Sequence, residues 1–345
     1  MGRDIVYGED GNIYVVGETE NEAGNEVFDF LIISLNNNGQ ERWVYRYNGP
    51  ANETDGGYAI CYGGDGNIYA TGQSKGAGTA YDFPIISLTT NGEERWVYRY
   101  TTPYELDDIG ECITYGLDNN IYAGGTAGYE YPGVSDFTVL SVDTNGNERW
   151  VDRYYQGVVP HIASSITYGT NHKIYATGYL AGPQYYETLL GVICYTPQGE
   201  RKWVYTYDTT IANLDRGNSI VYGGDGYIYV AGYGKGVSDD WLIISLEDTT
   251  TTKINENLSE RTFLIYPFFN FFKDKIILYS GLYPRFLKIS LYNNSGMCIF
   301  DKTILLNEKF LTIKDEEIKN LPKGIYFLKI LSNKKEMVKF KLIKF

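Results

Sequence analysis

The sequence predicts an all-β protein: a β-propeller of about five four-stranded blades, whether or not the ring is complete, and a small C-terminal antiparallel β-sandwich. Composition points this way, because 39 glycines suit turns and 34 tyrosines suit strands. An internal repeat is the stronger observation. The pair Ile-Tyr recurs at residues 13, 68, 121, 174 and 228, in steps of 53 to 55 residues. A period this constant indicates one structural unit copied in tandem.

Each repeat is predicted to fold as a four-stranded antiparallel meander. In the second repeat the expected strands are 57–62, 68–72, 82–88 and 95–100. Asp-Gly at 65–66 and Asn-Gly at 91–92 mark tight hairpin turns, which need residues with positive φ. Runs such as 30–33 and 241–244 are apolar throughout, so both faces of each sheet must be covered. Small sheets packed face to face around an axis satisfy this, which favours a propeller over a solenoid of the same units.

The repeat carries short motifs in a constant order. In the second unit they are Asp-Gly-Asn-Ile-Tyr at 65–69, Asp-Phe-x-Ile-Ile-Ser-Leu at 82–88 and Asn-Gly-x-Glu-Arg-Trp at 91–96. The tryptophans of this last motif are Trp43, Trp96, Trp150 and Trp203. Over residues 1–246 the pattern resembles the bacterial β-propeller repeat of the SBBP type. The resemblance implies a propeller and says little about function, since that family is associated with surface and secreted proteins of mixed role.

The array looks incomplete at both ends. Met1 falls inside the first strand of the first unit, and the fifth unit has three clear strands followed by a polar segment. Ile254 stands at the position of the tryptophans, so residues 253–258 are a candidate degraded fourth strand. Either the ring closes with five blades or the chain is part of a larger array. We expect missing N-terminal sequence, which would also account for the absence of a signal peptide.

A change of charge marks a domain boundary. Residues 1–246 hold 13 Lys and Arg against 32 Asp and Glu, whereas residues 247–345 hold 17 against 11. We predict a propeller domain at 1–246, a polar linker at 247–260 and a separate domain at 261–345. The strands expected in this last domain are 262–266, 275–279, 286–292, 298–305, 310–313, 324–331 and 337–344. Alternation of polar and apolar residues in them indicates a sandwich with one wet face per sheet.

Ordered motifs in residues 261–345 resemble the C-terminal sorting domain of type IX secretion substrates. Tyr266-Pro267 is similar to the opening motif, although two phenylalanines stand where Asn-Pro is expected, and Gly296 ends a turn of the Tyr-Asp-x-x-Gly kind. The closest match is the Leu-Pro-x-Gly-x-Tyr signature, formed by Leu321, Pro322, Gly324 and Tyr326. The resemblance implies recognition by the secretion machinery and an extracellular or cell-surface location.

Several classes of function find no support in the sequence. The acidic repeat region lacks the basic surface that binding to nucleic acid requires. No apolar run is long enough to span a membrane. Four scattered cysteines are expected to be buried free thiols. The two histidines, His161 and His172, have no nucleophile motif beside them, so we assign no catalytic residue.

Candidate binding residues lie in the long connections, which emerge on one face of a meander array. One acidic position precedes the first strand of a unit, and a second precedes the third strand; in the fourth unit they are replaced by His161 and Leu189. The acidic residues are Asp55, Asp108 and Asp215 at the first position and Asp29, Asp82, Asp136 and Asp240 at the second. The loops also carry tyrosines, which suit protein or glycan binding: Tyr104, Tyr129, Tyr131, Tyr185 and Tyr186.

Two interpretations of the acidic positions remain open. A repeated Asp can be structural, accepting N–H groups in a turn, or the set can form a ring that binds Ca²⁺ or a cationic ligand. No other cofactor and no resident metal is expected. The hypothesis we place first is a secreted or surface-attached binding propeller whose loop face engages a protein or glycan. The alternatives are a secreted carbohydrate-active or lyase-type enzyme and a structural spacer array.

Overall fold

The computed structural model describes residues 1–248 apart from 21–26, 105, 129–133, 156–159, 183–187, 208–214 and 236–238. It further describes residues 265–344 apart from 268–270, 273–275, 281–286, 305–309, 314–315 and 333–335. The chain forms two compact units, Met1–Thr250 and Thr251–Phe345. The candidate fourth strand at 253–258, within the predicted linker 247–260, lies outside the described residues.

The first unit contains five antiparallel sheets, which we call the first to fifth blades. The first comprises β1 (Gly2–Tyr7), β2 (Ile13–Glu20), β3 (Phe28–Leu35) and β4 (Glu41–Tyr47). The second comprises β5 (Asp55–Tyr62), β6 (Asn67–Lys75), β7 (Tyr81–Thr89) and β8 (Glu94–Tyr100). The third comprises β9 (Ile109–Tyr115), β10 (Asn120–Gly128), β11 (Ser135–Asp143) and β12 (Glu148–Tyr154).

The fourth blade comprises β13 (Ile162–Tyr168), β14 (Ile174–Ala181), β15 (Thr188–Tyr195) and β16 (Arg201–Tyr207). The fifth has three described strands, β17 (Arg216–Tyr222), β18 (Tyr227–Lys235) and β19 (Asp239–Glu247). Every blade runs in simple meander order. The prediction of an all-β propeller with four-stranded blades is confirmed. We call the four successive strands of a blade its A, B, C and D strands.

Contacts between blades recur at every described junction. The tryptophans of the first three D strands donate their indole N–H groups to a carbonyl in the C–D turn of the following blade: Trp43 to Thr90 at 2.9 Å, Trp96 to Thr144 at 3.0 Å and Trp150 to Pro197 at 3.0 Å. Each such hydrogen bond contributes about 1 kcal/mol. Asp248 accepts from Trp203 and from Tyr175 of the fourth blade, so the compact unit continues past the predicted boundary at residue 246.

An aromatic pair closes each junction nearer the axis. The B-strand tyrosine of one blade packs against the last A-strand tyrosine of the next, with ring centroids 5.6–6.0 Å apart: Tyr14 with Tyr62, Tyr69 with Tyr115, Tyr122 with Tyr168 and Tyr175 with Tyr222. These B-strand tyrosines are fully buried. The hydrophobic cores therefore lie between the sheets, as the two-sided apolar strands require.

Each A strand contains a β-bulge at the same repeat position. The bulged residues, skipped by the pairing register, are Arg3, Tyr58, Glu111, Ser164 and Asn218. A glycine of the B strand lies opposite every bulge. A Cβ on Gly72 would stand 1.9 Å from the carbonyl oxygen of Gly56, and the other four glycines meet an equivalent oxygen at 1.8–2.1 Å. This close approach explains why the motif Ile-Tyr-x-x-Gly recurs in all five units.

Successive A strands pack against one another from the first blade to the fifth. Among the described residues, no comparable packing joins the first blade to the fifth. Ile5 on the first blade and Val221 on the fifth are exposed. The described blades therefore form an open series.

The second unit contains two small sheets and one helical turn. One sheet joins β20 (Ile265–Pro267), β22 (Ile276–Ser280) and β25 (Phe310–Ile313). The other joins β21 (Phe271–Phe272), β23 (Leu287–Asn293), β24 (Cys298–Ile304), β26 (Gly324–Ser332) and β27 (Glu336–Lys344). All seven predicted strands are present, with shifted ends. The pairs are antiparallel, except that β21 lies parallel to β27.

The sequence did not predict β21 or the turn α1 (Glu316–Lys319). The turn is held from the far end of the chain, because the buried Lys344 ammonium donates to the carbonyls of Ile318 and Lys319 at 2.7 and 2.5 Å. A cation at the carboxyl end of a helical turn satisfies carbonyls that have no backbone partner. Tyr326 of the signature is also fixed locally, since its hydroxyl donates to the carbonyl of Pro322 at 2.6 Å.

The close approach at the bulge gives a direct test of the fold. We expect Gly72→Ala to lower the free energy of unfolding by about 2–3 kcal/mol, because the added methyl overlaps the Gly56 carbonyl and the bulge must shift. The matched control is Gly224→Ala, whose Cβ would meet nothing within 4 Å and should change stability by less than about 0.5 kcal/mol. Urea unfolding followed by tryptophan fluorescence measures both, and equal effects would contradict the assignment.

Candidate functional site

The five bulged residues define the candidate site, which we call the bulge ring: Arg3, Tyr58, Glu111, Ser164 and Asn218. Because successive A strands pack together, the five bulges follow one another around the inner edge of the blades. A bulge redirects a side chain out of the regular pleat and is common beside binding sites. The Arg3 guanidinium lies over the Tyr58 ring, 5.3 Å from its centroid, so bulges of neighbouring blades are in contact.

A second layer comes from the B strands, at the residue after each bulge-facing glycine: Glu18, Gln73, Thr126, Tyr179 and Tyr233. Glu18 forms an ion pair with Arg3 at 3.1 Å. On the opposite side, Arg216 lies over both Tyr179 and Tyr233, 5.1 Å from each centroid. The bulge ring and its second layer thus include aromatic rings and charged groups of both signs.

Glu111 is the acidic residue of the bulge ring. Within the described part of the chain its carboxylate has no hydrogen bond or ion pair, although it is only partly exposed. Burial raises its pKa, against the attraction of the Arg3 charge. Burial, together with the negative charges of Glu111 and Glu18, also raises the pKa of Tyr58 to about 12. Tyr58 therefore remains a neutral phenol, and Glu111 is a carboxyl group free to pair with something else.

The first acidic position holds the loops together. Asp55 is fully buried and accepts hydrogen bonds from the backbone N–H groups of Gly49 at 2.6 Å and Lys75 at 3.1 Å. Asp108 is also buried and accepts from Thr102 and Gly128 at the same offsets. In the fourth blade the His161 ring nitrogen Nδ1 accepts from the N–H of Ala181 at 3.2 Å. Histidine replaces aspartate there because either side chain can accept this bond.

Asp215, the fifth-blade residue at this position, is buried, and its backbone N–H donates to the carbonyl of Thr188. The equivalent bonds of Asp108 and His161 run to Tyr81 and Ser135. Asp108, His161 and Asp215 are therefore each bound to the blade before their own.

The second acidic position pairs with an arginine of the D strand in its own blade. Asp82 lies 2.6 Å from Arg99, and Asp136 lies 2.8 Å from Arg153. The Asp29–Arg46 pair is looser, at 3.9 Å. In the fourth blade both partners change together, to Leu189 and Thr206. The side chain of Asp240 lies outside the described residues.

The two acidic positions are coupled through the same arginine. Arg99 donates to Ser74 at 2.5 Å and to Asp82, and its charge also acts on Asp55. Both acidic positions change in the fourth unit, where the arginine is also replaced, so this arginine is the physical link between them. The geometry favours the structural interpretation of these aspartates, while a ligand-binding role for them stays a prediction.

Of the loop tyrosines, only Tyr104 is described. It is exposed, and the Arg153 guanidinium lies 5.9 Å from its ring centroid. Tyr129, Tyr131, Tyr185 and Tyr186 lie outside the described residues. Sequence analysis missed the bulge ring. The available signal was a variable, mostly polar residue at the second to fourth position of each A strand.

The described residues contain neither a metal-binding cluster nor a membrane-spanning helix. Among the described residues, no group of three or more His, Cys, Asp or Glu side chains is arranged to hold a metal ion. A Ca²⁺ site therefore stays a prediction without a supporting cluster in that part of the chain. No helix in the same residues is long and apolar enough to cross a membrane.

Comparison with known families identifies the second unit. Residues 265–344 match the family described as the secretion system C-terminal sorting domain. The predicted type IX sorting domain is therefore confirmed, and such a tail marks a secreted or cell-surface protein. Tyr266, Pro267, Gly296, Leu321, Pro322, Gly324 and Tyr326 all lie within the matched range. No curated protein matches the chain, and assignment of the repeats to the SBBP type stays a prediction.

Solved structures similar to the chain include several propellers. PorZ, a bacterial surface component of the type IX secretion system of Porphyromonas gingivalis, is 9% identical with a TM-score of 0.33; the match covers 98% of this chain and 58% of PorZ. An endo-arabinase from Bacteroides thetaiotaomicron is 11% identical with a TM-score of 0.41, covering 72% and 94% of the two chains. The propeller domain of the Trilobed protease from Pyrococcus furiosus is 10% identical with a TM-score of 0.41, covering 96% and 89%. These likenesses carry no argument about function.

The buried carboxylates make stability depend on pH. Burial raises the pKa of Asp108 to about 6, despite hydrogen bonds from Thr102 and Gly128 that lower it. In the unfolded chain an Asp titrates near pH 4, so the folded state holds the extra proton between about pH 4 and 6. Stability supplied by protonated Asp108 is present below pH 4 and lost as the pH rises through 6. Relative to Asp108→Asn, the wild type should lose on the order of 1–2 kcal/mol between pH 4 and 7.

The control for this experiment is Asp143→Asn. Partial burial opposes the change, but hydrogen bonds from Asn147 and Asn145 lower the pKa of Asp143. The contribution of Asp143 to the free energy of unfolding should therefore have the opposite pH dependence and increase as the pH rises to about 4. Urea denaturation of the three proteins from about pH 2.5 to pH 7 covers both transitions and gives both differences. A pH-independent difference for Asp108→Asn would show that Asp108 is ionised throughout.

Proposed function

We propose that this protein is a secreted or cell-surface binding protein whose propeller recognises a protein or glycan at the bulge ring. The observation that carries the proposal is the bulge ring itself. Five side chains leave the regular pleat at one repeat position, and they differ from blade to blade while the framework around them stays the same. A rigid scaffold that varies only at one set of redirected side chains is arranged for recognition.

The side chains of the bulge ring and its second layer are suited to a polar ligand. The tyrosines Tyr58, Tyr179 and Tyr233 offer flat apolar surfaces with few rotatable bonds. Glu111 adds a carboxylate with no fixed partner in the described residues, which suits a hydroxyl or a cationic group. The excess of acidic residues in the first 246 positions would attract cationic groups over a longer range. Glycans with amino groups and basic protein segments both carry these features.

One observation favours a second candidate, a carbohydrate-cleaving enzyme. The bulge ring and its second layer contain two carboxylates in unlike environments: Glu18 is paired with Arg3, whereas Glu111 has no ion pair among the described residues and burial raises its pKa. Two carboxyl groups whose environments differ in this way usually serve as the acid and the base in glycoside hydrolysis. In that case Glu111 is the general acid. Loss of turnover with retained binding in Glu111→Gln would favour this candidate.

Binding is tested on the full-length protein with a glycan array and a set of basic peptides. We expect Tyr58→Ala and Glu111→Gln each to weaken binding of any retained probe at least tenfold, since each removes a ring contact. Matched controls are Tyr227→Ala, at the start of β18, and Glu93→Gln, in the C–D turn of the second blade, both outside the bulge ring. Binding that responds equally to ring and control variants would remove the bulge ring as the site. Binding of no probe by the wild type would contradict the proposed ligand classes.

Export is tested with a reporter protein that carries a signal peptide and residues 261–345 at its C-terminus. In a bacterium with a type IX secretion system, we expect the reporter at the cell surface or in the medium. A matched reporter ending before residue 265 should stay in the periplasm. Periplasmic retention of both reporters would contradict a working sorting signal.

A further inference from the structure

Among the described residues, no blade covers the outer side of the first blade, which corresponds to a surface that binds the preceding blade elsewhere in the array. Ile5 is 64% exposed, whereas the same repeat position in the next four blades, Ile60, Ile113, Ile166 and Ile220, is 5–8% exposed. In those blades the residue is covered by the preceding sheet. Tyr7 and Val44 are likewise exposed, although Tyr62 and Val97 at the same positions pack against the blade before them. We call Ile5, Tyr7 and Val44 the head face.

The outer side of the fifth blade carries the complementary surface. Val221 is 56% exposed and Ala231 is exposed, whereas the equivalents Val6 and Val16 pack against the second blade. Tyr229 is partly exposed, although Tyr14, Tyr69, Tyr122 and Tyr175 at the same position are fully buried by the following blade. We call Val221, Tyr229 and Ala231 the tail face.

Head and tail faces are the two halves of one interface that the chain already forms four times. At each internal junction, a Tyr229-type ring packs on a Tyr7-type ring at 5.6–6.0 Å between centroids. The fit of a tail-type surface to a head-type surface is therefore demonstrated within this molecule. In the described residues of a single chain, the two outer faces are not packed together.

We propose that the tail face of one copy of this protein docks on the head face of a second copy, in the register of an internal blade junction. Such an interface is heterologous, because it joins two different surfaces. It closes a ring of blades or continues as a filament, according to the rotation between copies. Both copies are acidic, so screening by salt should strengthen an association that rests on apolar contacts.

The test is sedimentation velocity of the full-length protein at rising concentrations in moderate salt. The wild type should form concentration-dependent assemblies. Ile5→Asp on the head face and Val221→Asp on the tail face should each reduce association at least tenfold. Leu117→Asp is the matched control, because Leu117 is 65% exposed in a hairpin turn of the third blade, away from both outer faces. All variants carry one added charge at an exposed position, and circular dichroism confirms their folding.

Mixing the two variants decides the geometry. Ile5→Asp protein retains an intact tail face and Val221→Asp protein an intact head face, so a mixture should form a complex limited to one copy of each. Self-association of either variant alone at the wild-type level would overturn the head-to-tail arrangement. A wild type that stays monomeric at all concentrations would also overturn the proposal, and would indicate that the two faces are covered in some other way.

Discussion

Every blade of this protein depends on its neighbour to bury one side of its sheet. The strands are apolar on both sides, so an isolated blade would expose Ile, Val and Tyr side chains to water. Such exposure costs about 25 cal/mol of free energy for each Å² of apolar surface. The cores accordingly lie between blades and not within them. The tryptophan hydrogen bond and the tyrosine pair set the distance and register of each junction. The placement of the A strands, and hence of the bulge ring, follows from these contacts.

The bulge ring shows how a repetitive framework can present non-repetitive chemistry. The B-strand glycine permits a carbonyl of the A strand to come closer than any side chain would allow. That approach leaves one residue of the A strand outside the ladder in every blade, and the five outcomes are Arg, Tyr, Glu, Ser and Asn. Because the bulged residue contributes little to the ladder, its identity can change without cost to the fold. The fold therefore requires glycine at the B-strand position, whereas the bulged residue of the A strand can differ from blade to blade.

The fourth blade shows which interactions the framework can exchange. Its Asp–Arg pair is replaced by Leu189 and Thr206, and its buried acceptor is His161 in place of aspartate. A partly buried ion pair contributes little net stability, so uncharged residues can replace both partners together. An acceptor for a buried N–H cannot simply be lost, because an unsatisfied donor costs about 1–3 kcal/mol. The first position therefore keeps a hydrogen-bond acceptor, while the second does not.

The sequence alone determined the period, the blades, the hairpin turns and the sorting domain, because each rests on residues close together in the chain. Turn glycines, strand patterns and the Leu321–Tyr326 signature are all local. Only the tertiary structure decided what the repeated side chains do. The partner of Trp96 lies 48 residues away, and the packing of Arg3 on Tyr58 joins two repeats. A pattern read within one repeat does not show contacts made between repeats. For that reason the aspartates, which recur, were expected at the site, whereas the bulged residues, which differ in every blade, emerged only from the backbone pairing.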